Sequence, residues 1–139
     1  MPNSLPIYTR IADIQWSVSA NTANTSVDLT TGTSYQVFSA DTTQGGYVQR
    51  IRFRTLGTNA AATVARVFIN NGNTTATAAN NTLWDEITLP ATTATQVAAQ
   101  ANYELPLNLA LPPNYRIFIT LGTAPNAAGW IATVIGGKY

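Results

Sequence analysis

The chain has 139 residues, of which 9% are charged, with a net charge of +1 and neither histidine nor cysteine. That length fits one domain. Charge far below the roughly 25% of an average soluble protein argues against a basic nucleic-acid binder. The missing histidine and cysteine remove the commonest general base, the commonest metal ligand and any disulfide.

Residues 1–10, MPNSLPIYTR, read as an extended arm, because Pro2 and Pro6 disfavour helix and push their predecessors toward extended geometry. The arm is either a frayed end or a strap that orders on a neighbour. Leu5, Ile7 and Tyr8 are its apolar candidates for such a contact, followed by Arg10. The start has no basic region followed by an apolar stretch, so it does not read as a signal peptide. No apolar run approaches the ~20 residues needed to cross a bilayer, so no membrane partner is expected.

Residues 11–139 read as one β domain. Asp13–Ser19 alternates, with Ile14, Trp16 and Val18 opposite Asp13, Gln15, Ser17 and Ser19, which predicts a half-buried strand. Val27 and Leu29 suggest a short strand, and Ser34–Ala40 another around Tyr35, Val37 and Phe38. Asp41–Gly46 reads as a loop. Tyr47–Asn70 reads as a hairpin of two strands, Tyr47–Thr55 and Val64–Asn70, joined by a small-residue turn. Strict alternation in the first strand puts Tyr47, Gln49, Ile51, Phe53 and Thr55 on one face, and Val48, Arg50, Arg52 and Arg54 on the other. In the second strand Ala65, Val67 and Ile69 share a face opposite Val64, Arg66 and Phe68.

Asn70–Asn81 reads as an exposed loop opened by the Asn71-Gly72 turn. Thr82–Pro90 reads as a strand, and Ala91–Asn102 as a loop followed by an edge strand, since Thr92, Thr93, Thr95 and Val97 oppose helix. Tyr103–Leu111 leads into a rigid Pro112-Pro113 bend. Tyr115–Leu121 alternates cleanly. Trp130–Ile135, apolar on both faces, reads as a strand buried on both sides. Short strands between turn signals, with no helical periodicity, predict an all-β antiparallel two-sheet sandwich, jelly-roll-like ahead of immunoglobulin-like.

Few constellations suit chemistry. Asp85 and Glu86 are adjacent on a strand, so they point to opposite faces and do not make a glycosidase pair. Serines lack an activating partner, and no acid spacing matches a calcium loop. No catalytic residue, cofactor or metal is expected. Trp16, Trp84 and Trp130 read as core rather than as sugar-stacking platforms. The sharpest polar signal is Arg50, Arg52 and Arg54 on one face, with Arg66 on the expected hairpin. Like charges at successive same-face positions repel unless something opposes them. They make a solvated face or a protein interface, where arginine is enriched. A nucleic-acid platform ranks behind both.

Two blocks carry a resemblance: YVQRIRFRTLGTNAAATVARVFINNG with LWDEITLP, and LPLNLALPPNYRIFITLGT with GWIATVIGGKY. Together they resemble small β-sandwich virion proteins of tailed bacteriophages and prophages, over about the last two thirds of the chain. The resemblance implies a structural protein without catalytic activity. It is most like capsid decoration, or cement, proteins that bind the outer surface of the major capsid protein, commonly as homotrimers. It further implies synthesis in the host cytoplasm and residence on the capsid surface. The competing reading is a tail-fibre or host-glycan-binding adhesin domain.

Overall fold

The computed structural model describes residues 9–125 and 128–139, so Leu5, Ile7 and Tyr8 and most of the expected arm lie outside the described residues. Among the described residues there are eight strands: β1 (Ile11–Trp16), β2 (Tyr35–Ser39), β3 (Gly46–Thr55), β4 (Thr63–Asn70), β5 (Asn81–Leu89), β6 (Tyr103–Leu111), β7 (Arg116–Leu121) and β8 (Trp130–Lys138). A single 3₁₀ turn, Ala78–Asn80, precedes β5. The strands form two four-stranded antiparallel sheets: a front sheet in the order β1-β8-β3-β6 and a back sheet in the order β2-β7-β4-β5. Consecutive strands change sheet at most connections; of the pairs consecutive in sequence, β4 and β5 alone lie side by side.

One core fills the space between the sheets. Val48, Ile51 and Phe53 of β3 and Trp130, Ala132 and Val134 of β8 meet Val37 and Phe38 of β2, Ala65 and Val67 of β4, and Ile117 and Ile119 of β7. Trp130 is fully buried and meets the Tyr103 ring edge-on, with centroids 5.6 Å apart. Alternating residues with one apolar face need such a second sheet to cover them.

The expected Tyr47–Asn70 hairpin is not formed. β3 belongs to the front sheet and β4 to the back, and residues 56–62 cross between them. Seven residues are long for a hairpin loop, and this stretch has its own anchor. Asn59 is fully buried, donating Nδ2 to the Gly129 carbonyl at 3.2 Å and accepting from the Gly129 N–H at 2.8 Å. It also bridges to Thr92, the one contact that Ala91–Asn102 makes as extended pairing. The edge strand expected there is Tyr103–Leu111 instead.

Alternation in β3 also breaks. The ladder to β8 shifts between Val48 and Arg50, leaving Gln49 as an extra residue. A bulge breaks the period of two. Val48 therefore joins Ile51 and Phe53 inside, while Tyr47 and Gln49 turn outward, the reverse of their expected faces. β4 keeps its expected alternation.

No strand forms around Val27 and Leu29. Residues 21–34 instead run across the outer face of the back sheet, pinned by Asn24 N–H to the Leu121 carbonyl at 2.7 Å. Leu29, at φ 64°, closes on Phe68 and Phe118 to make a small second core. Asn24 holds the loop from inside, donating Nδ2 to the carbonyls of Thr31 and Thr33 at 2.9 Å each.

Two of the three tryptophans expected in the core are outside it: Trp16 is 66% and Trp84 50% exposed. Trp84 is the extra residue where β5 slips against β4. β1 is turned over as a whole. Its apolar residues Ile14 and Trp16 face solvent, with Val18 beyond them, while Gln15 and buried Ser17 face inward. Gln15 explains the inversion. Its amide donates to the Ser39 carbonyl and accepts from the Ser39 N–H, both at 2.9 Å, clasping β1 to β2 across the open side of the sandwich.

Candidate protein-interaction surface

The outer face of the front sheet can be read row by row from the strand register. One row runs Ile14, Ile135, Arg50, Pro106 across β1, β8, β3 and β6. The next runs Trp16, Thr133, Arg52, Glu104. A third pairs Ile131 with Arg54. Large apolar side chains thus occupy one half of the face, and an arginine ladder the other.

Two of the three arginines share one carboxylate, and the third bonds an amide. Arg52 Nε donates to Glu104 Oε1 at 2.8 Å, while Arg50 Nε lies 3.6 Å from Glu104 Oε2 without a hydrogen bond. Arg54 Nη1 donates to Asn102 Oδ1 at 2.7 Å. A single glutamate among three guanidinium groups leaves the ladder with an excess of positive charge. At this exposure the ion pairs themselves contribute little to stability. The bulge at Gln49 shapes the surface beside them. A shallow depression of ≈ 250 Å³ is lined by Gln49, Arg50, Glu104, Pro106 and Asn108, and a second of ≈ 220 Å³ by Thr9, Tyr47, Gln49, Ile135 and Gly136.

The back sheet is finished differently. Its outer aromatic residues Phe68 and Phe118 are buried under Leu29. Arg66, expected beside the other arginines, stands on this opposite sheet. It donates to Glu86 Oε1 at 2.9 Å and to the Asn24 carbonyl at 3.4 Å. Arg116 lies over the Phe118 ring at 5.5 Å and donates to Asn70 Oδ1. Cations on the back are thus committed to the protein's own loops, whereas the ladder on the front faces outward.

Of the interface residues expected from sequence, Arg50, Arg52 and Arg54 are brought together and Arg66 is not. Arg10 is exposed at the start of β1, its N–H on the Lys138 carbonyl at 2.7 Å. Sequence reasoning missed Ile14 and Trp16. Alternation marked the strand's two faces, but nothing in it says which face turns outward.

Among the described residues no cluster of three or more acidic side chains is placed to hold a metal ion. Asp85 and Glu86 diverge as expected: Glu86 pairs with Arg66, and Asp85 Oδ1 accepts the Glu86 N–H at 2.7 Å. Two aspartates are shifted by local hydrogen bonds. Asp28 is lowered from 3.8 to about 2, chiefly by the Thr30 N–H, then by the hydroxyls of Thr30 and Ser26. Asp41 is lowered by the N–H groups of Gln44 and Thr43. Both order loops. No protein-family model matches the chain, and no curated protein matches it either.

Proposed function

We propose that this is a non-catalytic structural protein of a bacteriophage virion, a capsid decoration protein whose front face docks on the outer surface of the major capsid protein. The observation that carries the reading is the one-sided finish of the sandwich. Leu29 of residues 21–34 covers Phe68 and Phe118 on the back sheet, whose edge strand leaves Trp84 exposed, while the front sheet leaves Ile14, Trp16 and Ile135 beside an arginine ladder. Aromatic residues and arginine dominate binding energy at protein interfaces, and apolar area of this kind is buried when a partner arrives. The resemblance of the two sequence blocks points the same way. So does the strand order, β1-β8-β3-β6 over β2-β7-β4-β5, which we read as a jelly roll.

The mechanism is physical. Several modest contacts on one particle act together through high effective concentration. A protein that binds only the assembled shell stabilises that shell by mass action. The resemblance implies a homotrimer, but any closed self-association, of two copies or three, would supply several copies of the face.

The test is co-sedimentation of the purified chain with expanded shells that lack it. Reversing Arg50, Arg52 and Arg54 to glutamate is expected to weaken binding at least tenfold, with the melting temperature little changed. Equal binding by the variant would refute the docking face. The exposure of Trp16 and Trp84 favours a second reading, an adhesin domain that stacks sugars. That reading requires glycan binding that is lost in Trp84→Ala and indifferent to the arginine reversal.

A further inference from the structure

A two-sheet sandwich has four edge strands, here β1, β6, β2 and β5. Each exposed edge is a template for pairing with another chain unless something blunts it. Three are blunted. β2 has five residues and a register shift between Gln36 and Phe38. β6 carries Pro106 and the left-handed Asn108, at φ 49°. β5 is bulged at Trp84, and its adjacent acids Asp85 and Glu86 would repel a second copy of themselves. β1 alone has neither proline nor bulge, and its register against β8 runs unbroken from Ile11 to Trp16.

The direction of its free hydrogen-bonding groups follows from that register. Ser17 N–H donates to the Ala132 carbonyl at 2.9 Å. Bonding alternates along an antiparallel strand, so Asp13 and Gln15 also turn their backbone groups to β8. Ala12, Ile14 and Trp16 present theirs to the opposite edge, which no strand among the described residues covers.

We propose that β1 is a self-association edge: two copies pair antiparallel about a two-fold axis through Ile14, joining their front sheets into one of eight strands. Centred there, Ile14 lies opposite Ile14 of the partner subunit, and Trp16 opposite the partner's Ala12. On the inner face Asp13 lies opposite the partner's Gln15, a carboxylate against a neutral amide that its own chain already holds on Ser39 and Asp13. Of the two neighbouring registers, the one centred on Asp13 would set two like carboxylates against each other, and the one centred on Gln15 would put Ile14 opposite the partner's Trp16, a pairing the cross-links below tell apart. A two-fold contact is self-complementary and closes, so it yields a dimer rather than a fibre. The dimer places the exposed apolar halves of two front faces side by side, flanked by an arginine ladder at each end. The pairing stands on the edge geometry and does not depend on which partner the face meets.

The chain has no cysteine, which makes the register testable directly. Opposed residues of a hydrogen-bonded pair have Cα atoms about 5.5 Å apart, inside the range of about 4.4–6.8 Å that a disulfide spans. Ile14→Cys is expected to oxidise to a disulfide dimer. Trp16→Cys is expected to cross-link with Ala12→Cys on mixing, and not with itself. Val97→Cys, at a loop residue 95% exposed, is the control expected to stay single. In sedimentation the wild type is expected at twice the 14.8 kDa chain mass. Ile14→Pro is expected at the single mass with its fold intact, because the lost N–H faces the open edge. A wild type that sediments as a monomer or trimer at 100 μM would overturn the pairing, as would Ile14→Cys oxidising no faster than Val97→Cys. Should Ile14→Pro fail to fold, the cysteine series decides alone. Shell binding is scored separately: a monomer that still binds shells sinks this dimer and spares the decoration role, and a two-fold dimer indifferent to shells does the reverse.

Discussion

Leu29 shows how much can rest on one residue. It is a branched side chain at φ 64°, a region that non-glycine residues rarely occupy. The loop around it holds that conformation through Asp28, whose Oδ1 accepts from the Ser26 hydroxyl at 2.7 Å, the Thr30 N–H at 3.0 Å and the Thr30 hydroxyl at 2.7 Å. These bonds favour the ionised carboxylate, so its folded pKa, about 2, lies below the ordinary 3.8. A depressed folded pKa stabilises the loop above the ordinary value, and that contribution fades as pH falls from about 4 to about 2. The Asp28 side-chain resonance is expected to titrate near 2, with faster amide exchange at Thr30 over the same window. A midpoint near 3.8 would show that the bonds do not form in solution. None of this was legible beforehand. Val27 and Leu29 looked like strand residues because apolar spacing is silent about a left-handed leucine.

Among the elements, the strands were legible where alternation was undisturbed, as in β4 and β7. Pattern and structure part where a bulge or an inversion intervenes, as in β3 and β1. Gln49 carries no signal as the extra residue of β3, since a bulge is a relation between two strands and not a property of either. β1 was recognised as half-buried with its faces exchanged. The cause is the sandwich edge, where an inward glutamine can bond both backbone groups of Ser39 while an isoleucine there could bond neither. Replacing Gln15 with leucine would leave those groups unpaired. Each net hydrogen bond contributes about 0.5–1.5 kcal/mol, so Gln15→Leu is expected to lower unfolding free energy by about 1–3 kcal/mol in urea titration. A loss under about 0.5 kcal/mol would mean that the clasp is ornamental. The arginine ladder was legible because residues 50, 52 and 54 lie beyond the bulge, where the period of two resumes. Arg66 joins that company only through the expected hairpin, which does not form.

For the molecule as a whole, the fold class followed from the pattern of short strands and turns, while the sheet partners did not. Most neighbours in each sheet are far apart along the chain, as β1 and β8 are. Such pairings close long loops before any contact compensates for them, which slows folding. Refolding from urea, followed by the fluorescence of buried Trp130, is expected in milliseconds to seconds rather than microseconds. A microsecond phase carrying the full amplitude would contradict this topology.

The same pairing has a consequence for biosynthesis. β1 leaves the ribosome first of the eight strands, yet its one sheet neighbour among the described residues is the last of them to emerge, so the front sheet stays open until then. Closure waits until β8 has emerged, and the two strands brought together by it lie beside one another. A circularly permuted chain, relinked between β8 and β1 and reopened within residues 93–101, would keep every rung of both sheets and convert the slowest-arriving contact into a local one.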